Sequence, residues 1–141
     1  MKRIVLDTNV LTAGLRSRNG ASFAILQLVA DQQICPLVTT ALFLEYETVL
    51  TRPEQMAAHG LSTADLDRLL AGFATLGAPV ELHFLWRPQL SDPKDEMVLE
   101  AAINGRADAL VTHNRRDFSA VAGRFDVRVV SPAEFLEGLR T

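Results

Sequence analysis

The residues of this chain best suited to chemistry are carboxylates placed where apolar runs end. Asp7 directly follows the short run Arg3–Leu6. A carboxylate there costs free energy unless it is solvated, paired or bound to a cation, and its ordinary alternative is to cap the next helix. Glu45 and Glu47 lie among Leu42, Phe43, Leu44, Tyr46, Val49 and Leu50. At about 100° per residue both fall on the flanks of the apolar arc, so periodicity does not choose between them. In Ser91-Asp92-Pro93-Lys94-Asp95-Glu96, Asp92 has the character of an N-cap. Asp95 falls in a first turn, where negative charge suits the helix dipole. Asn114 and Asp117 follow a run that ends at Thr112, in a segment that also reads as an ordinary loop.

Together these acids are read as one group at one edge of a sheet, with no matching lysine in their segments. Clustered carboxylates repel one another, and a hard divalent cation is the least costly way to keep them. Oxygen ligands without His or Cys suit Mg²⁺ or Mn²⁺. Such a cation lowers the pKa of water and stabilises charge on a phosphoryl oxygen, which points to phosphate-ester hydrolysis. His59 and His83 show no ligand spacing, and His113 reads as a loop residue.

The elements that must position these residues alternate between strand and helix. Strands are expected at Arg3–Leu6, Ile34–Val38, Val80–Phe84, Ala109–Thr112 and Val127–Val130. Asp7 is expected to be followed by a turn through Thr8, Asn9 and Val10. Ser22 is expected to cap a helix reaching Asp31, and Thr39 or Thr40 a helix from Ala41 to Thr51. Pro53 opens a further turn ending near Gly60. Ser62 with Asp65 resembles a capping box, and Gly77 closes the helix that follows. A helix from Asp92–Pro93 reaches Asn104 and closes at Gly105. Ser131-Pro132-Ala133-Glu134 is a capping box with Pro at the first helical position. Alternation of this kind calls for a parallel sheet covered on both faces. Sites in such sheets form beyond the carboxyl ends of the strands.

The chain has 141 residues, with 14 Lys plus Arg against 17 Asp plus Glu, a net charge of −3. That length suits one domain over residues 1–141 and excludes a full eight-stranded barrel, which takes about 250 residues. With 48% hydrophobic residues the chain can bury a core. The charge argues against nucleic-acid binding by bulk positive potential, but not against a basic rim around an acidic site. Twelve of the basic residues are Arg, which grips phosphate in a two-pronged geometry. The single Cys35 allows no internal disulfide and is expected to be a buried thiol. The apolar run after Met1-Lys2-Arg3 stops at Asp7, too short for a signal peptide, and no membrane span is present. A cytoplasmic location is expected.

In the order of these motifs the chain resembles the PIN-domain family, in particular the VapC-like ribonucleases of bacterial toxin–antitoxin pairs. Ile4-Val5-Leu6-Asp7-Thr8-Asn9-Val10 looks like the family's first acidic motif, and Leu44-Glu45-Tyr46 like its helical Glu. Asp92-Pro93-Lys94-Asp95 with Val98-Leu99-Glu100-Ala101-Ala102 looks like the third, and Ala107-Asp108-Ala109-Leu110-Val111-Thr112 through Phe118 like the fourth. The resemblance implies a three-layer α/β/α fold with a mainly parallel sheet. It implies that Asp7, Glu45 and Asp95 hold Mg²⁺ or Mn²⁺, favouring Glu45 over Glu47 and Asp95 over Asp92. Many members carry Asp where this chain has Asn114; others have Asn there and an acid three residues later. Asp117 is therefore expected as the fourth acid, with Asn114 assisting as a ligand.

Thr112 and Asn9 are expected to support the ligands by hydrogen bonds, and Arg16, Arg18, Arg87, Arg115 and Arg116 to contact phosphate. The implied activity is endoribonucleolytic cleavage of RNA leaving a 5′-phosphate. The implied partners are a small antitoxin and a second copy of the chain in a homodimer. Two other readings stay open. One is a non-catalytic PIN module that binds RNA or protein, which Asn114 leaves possible. The other is a haloacid-dehalogenase-like phosphatase, whose chemistry usually needs a second Asp where this chain has Asn9. A nucleotide sensor ranks last because there is no Gly-rich phosphate loop.

Overall fold

The computed structural model describes residues 1–83, 90 and 92–140. Five parallel strands form the sheet: β1 (Lys2–Leu6), β2 (Ile34–Val38), β3 (Ala78–Pro79), β4 (Ala109–Val111) and β5 (Val129–Val130), in the order β3-β2-β1-β4-β5. Ile4, Val5 and Leu6 are successive residues and all fully buried. Neighbouring strand residues point to opposite faces, so both faces of β1 are covered. The helices are α1 (Thr8–Arg16), α2 (Ala21–Ala30), α3 (Thr40–Leu50), α4 (Pro53–His59), α5 (Thr63–Leu76), α6 (Pro93–Gly105), α7 (Arg115–Ala122) and α8 (Pro132–Arg140). Helix α6 packs on β1, β2 and β4, α2 and α5 pack on β2, and α8 on β4. This is the three-layer α/β/α architecture expected from the alternation.

The strand order places the site. From β1 the chain moves outward through β2 to β3, then returns past β1 to β4 and continues to β5. Connections therefore leave in opposite directions on the two sides of the β1–β4 pair. Such a switch point opens a crevice beyond the carboxyl ends of the strands. Leu6 is in register with Val111, so the next residues, Asp7 and Thr112, emerge side by side at that crevice. The Asp7 N–H still donates to the Val111 carbonyl at 2.9 Å.

Several local expectations hold, and their chemistry is visible. Thr39 caps α3 by accepting from the Leu42 N–H, Ser62 accepts from Asp65, and Asp92 accepts from Lys94. Ser131 and Glu134 form a reciprocal capping box at α8, and Gly60 takes the left-handed conformation after α4.

Other expectations are corrected. Thr8, Asn9 and Val10 are not a turn but the first turn of α1, whose Val10, Leu11 and Gly14 are buried on one face. The segment after Asn114 is not a loop but α7, anchored by buried Phe118 and Val121 one turn apart. Ser22 caps nothing. Gly20 stands at the N-cap of α2, and the buried Ser22 hydroxyl is drawn to His113 Nε2 at 2.7 Å. Strand β3 begins at Ala78, not Val80, because Gly77 brings the chain directly against Pro36 of β2. Phe84, the expected end of that strand, lies outside the described residues. Strand β5 is shorter than expected, starting at Val129.

Helix α6 runs through Gly105, and Arg106 takes the left-handed position. Gly105 is needed for space, since a Cβ there would meet Leu37 Cδ1 at 2.9 Å and Val80 Cγ2 at 3.0 Å. Cys35 is the one half-buried residue of β2, not a fully buried thiol.

Candidate active site

Asp7, Asn9, Glu45, Asp95, Asn114 and Asp117 line one open cleft of about 260 Å³ at the switch point, with Thr8, Thr12, Gln55, Asp92 and Lys94. Each acid is delivered by a different element. Asp7 is the residue between β1 and α1, only 8% exposed. Its carboxylate accepts from the Thr112 hydroxyl at 2.7 Å and is also held by the Thr8 backbone N–H. Burial outweighs both bonds and pushes the Asp7 carboxyl above its ordinary value, with a further push from Asp117.

Glu45 comes from the middle of α3. Leu42, Tyr46, Val49 and Leu50 form the buried face of that helix. Glu45 stands at its edge with its side chain 12% exposed, while Glu47 points to solvent. The Tyr46 hydroxyl, fully buried, donates to the Leu6 carbonyl. That bond ties α3 to the residue before Asp7 and brings Glu45 over the same crevice. Burial, and then the charge of Asp7, hold the Tyr46 hydroxyl well above its ordinary pKa, so it remains a donor.

Asp95 stands in the first turn of α6, behind the Asp92 cap. Burial raises its pKa first, and the charges of Asp7, Asp92, Asp117 and Glu96 raise it further, to about 6. These repulsions show that acids from the β1–α1 junction, α6 and α7 share one field. Asp117 lies in the first turn of α7, and Asn114 is that helix's N-cap residue without a side-chain capping bond. The Asn114 N–H donates to Thr112 Oγ1 at 3.0 Å. Asn9 lies further from Thr112, its Nδ2 at 3.5 Å from the same oxygen, and its Oδ1 accepts from the His113 N–H at 3.3 Å. Thr112, fully buried, thus sits beneath the cleft with bonds to both Asp7 and Asn114.

The arginines do not gather as a group. Arg16 reaches the cleft's edge through Gln55, its Nη2 3.3 Å from Oε1. Arg18 is exposed and does not line the cleft. Arg115 and Arg116 line a second cavity with Ser119, and Arg115 is paired with Glu134 at 3.2 Å. Arg87 lies outside the described residues.

Three features escaped the sequence reading. Lys94 stands inside the acidic cleft, its Nζ 3.8 Å from Glu45 Oε1, so the acids do have a lysine in their own segments. Its place beside Asp92 and Asp95 in the sequence was the available signal. Glu96 and Glu100 are buried on α6, with Glu96 Oε1 accepting from the Leu90 N–H at 2.6 Å. Their four-residue spacing is a helical signal with nothing to mark it as internal. The Ser22–His113 bond joins α2 to the segment after β4, a pairing that sequence spacing cannot reveal.

Among the described residues no three His, Cys, Asp or Glu side chains stand in a ready-made metal cage. The donor set nevertheless fits a hard divalent cation. It consists of carboxylate oxygens with amide oxygens and no thiolate, and burial first, then repulsion by neighbouring acids, keeps Asp7 and Asp95 above their ordinary pKa.

The fold and cleft define an α/β/α protein with an acidic site at the topological switch of a parallel sheet. The chain belongs to the PIN-domain family, whose model matches residues 3–116. That span contains Asp7, Glu45, Asp95 and Asn114 and ends one residue before Asp117. Membership points to nuclease-type activity and replaces the haloacid-dehalogenase reading. The chain matches no curated protein. Among the described residues no helix is long and apolar enough to cross a membrane.

Proposed function

We propose that this PIN domain, spanning residues 1–141, is a Mg²⁺-dependent endoribonuclease, with Mn²⁺ able to substitute. The observation that carries this reading is the single cleft lined by Asp7, Glu45, Asp95 and Asp117 at the end of β1. Asp7, Glu45, Asp95 and Asp117 would hold the cation, with Asn114 as a neutral oxygen ligand. When bound, the cation would polarise the phosphodiester and favour ionisation of the attacking water.

The chain's own residues do the rest. Thr112 fixes the Asp7 carboxylate, and Asn9 fixes the backbone after Thr112. Tyr46 locks α3 against β1 so that Glu45 meets the cleft from the opposite side. Arg16, Arg18, Arg87, Arg115 and Arg116 are proposed phosphate contacts, and of these Arg16 reaches the cleft's edge through Gln55. A toxin role in the cytoplasm, restrained by a small antitoxin and exerted as a homodimer, is the biological setting that the VapC-like resemblance implies.

The test is incubation of the pure protein with single-stranded RNAs and Mg²⁺ or Mn²⁺. Cleavage is expected to be lost in Asp7→Asn, Glu45→Gln and Asp95→Asn and retained in Glu47→Gln. No cleavage of any RNA by the wild type, or an Asp7→Asn variant as active as the wild type, overturns the enzyme reading. RNA binding without cleavage would then favour a non-catalytic PIN module, the reading that Asn114 leaves open.

A further inference from the structure

We propose that Lys94 is the built-in counter-ion of the acidic cleft, holding Glu45 in the metal-free protein and competing with a divalent cation for it. The inference rests on the metal-dependent reading above. Lys94 Nζ lies 3.8 Å from Glu45 Oε1, and no other cationic side chain among the described residues lines the cleft. The two partners are unequal. Glu45 is 12% exposed and anchored on α3, whereas the Lys94 side chain is 53% exposed. A buried carboxylate needs a partner, but an ammonium with half its surface in water is a weakly held one that can leave.

The local backbone explains why lysine is held there. Asp92 accepts the Lys94 N–H at 2.9 Å, which fixes Lys94 in the first turn of α6. From that turn its chain crosses to α3, so a single flexible side chain spans the two helices that carry Glu45 and Asp95. Four methylenes and a point charge suit this task, because the head can swing out to water without moving either helix. Lys94 is a positioning residue here: it acts through Glu45 and has no assigned contact with substrate.

The experiment is calorimetric titration of the full chain with Mn²⁺, using wild type, Lys94→Gln and Lys94→Arg. Removing a positive charge a few ångströms from the carboxylates is expected to tighten the Mn²⁺ Kd about tenfold in Lys94→Gln. Lys94→Arg keeps the charge and is expected to stay within about threefold of wild type. Without metal, Lys94→Gln should melt below the wild type, and saturating Mn²⁺ should close that gap. If wild type binds Mn²⁺ and Lys94→Gln binds with equal or weaker affinity, the counter-ion role is overturned while the metal-dependent reading stands. If the wild type binds no Mn²⁺, both fall together.

Discussion

The Thr112 hydroxyl donates to Asp7 Oδ2 at 2.7 Å across a sequence separation of 105 residues. The pairing of Leu6 with Val111 one step earlier in the sheet makes that contact unavoidable. The same oxygen, Thr112 Oγ1, accepts from the Asn114 N–H, so one buried hydroxyl links the first and last acidic motifs.

Replacing Thr112 by Val keeps the shape but strands a buried carboxylate oxygen and a backbone donor. A loss of about 1–3 kcal/mol is expected in urea unfolding at neutral pH. Thr112→Ser, which keeps the hydroxyl, should lose roughly 1 kcal/mol or less. Because the bond to Thr112 favours the ionised form of Asp7, Thr112→Val should also raise the Asp7 pKa further. The acid limb of a cleavage–pH profile would then move to higher pH.

At Asp95 function and stability pull apart. Its carboxyl is raised from 3.8 to about 6 in the folded protein. As pH climbs through that window the unfolded chain releases its proton first, so ionisation works against the fold. The penalty is absent below about pH 3.8 and complete above about pH 6. The group is half-buried at the lining of an open cleft, and screening by solvent reduces the effect to roughly 1 kcal/mol. Asp95→Asn without metal should therefore melt about 3 °C higher than wild type near neutral pH. The difference should fade on acidification towards pH 3.8. A gain that persists unchanged in acid would contradict this account.

Tyr46→Phe removes one oxygen from a fully buried position and leaves the Leu6 carbonyl without that donor. Denaturant unfolding should report a loss of about 1–3 kcal/mol. The edge-on packing of this ring against Phe73, with centroids 5.7 Å apart, should survive the substitution.

Two glycines at one end of α5 should respond in opposite directions to alanine. At Gly77 a Cβ would stand 2.6 Å from the Pro36 carbonyl oxygen and 2.9 Å from that of Phe73, both backbone atoms that cannot turn aside. Gly77→Ala is expected to cost about 1–3 kcal/mol. A Cβ at Gly72, inside the helix, meets nothing within 4 Å. Gly72→Ala should stabilise by roughly 0.5–1 kcal/mol. Thermal melts of the two variants side by side check both.

What the sequence determined by itself was local. The capping chemistry of Thr39, Ser62, Asp92 and Ser131 is written within three or four residues, so the starts of α3, α5, α6 and α8 could be read directly. Alternation of strands and helices was enough for a parallel, doubly covered sheet, because unbroken apolar strands need both faces buried. Helices α1 and α7 read in sequence as a turn and a loop because each is short, nine and eight residues, with an apolar face of only two or three buried positions, although Asp7 and Asn114 are favoured N-cap types.

The tertiary structure decided what depends on distance in space. Periodicity left Glu45 and Glu47 equivalent and the family resemblance favoured Glu45; the packing of Tyr46 against the end of β1 is what turns Glu45 inward. The strand order, not any motif, brings Asp7 beside Thr112 and sets Asp95 and Asp117 in the same field. Lys94 passes unmarked in the sequence, where the acids read as having no matching lysine, and it becomes part of the site because its side chain reaches from α6 to Glu45 on α3. Charges interact through space, not along the chain, so their partners are fixed only when the sheet is closed.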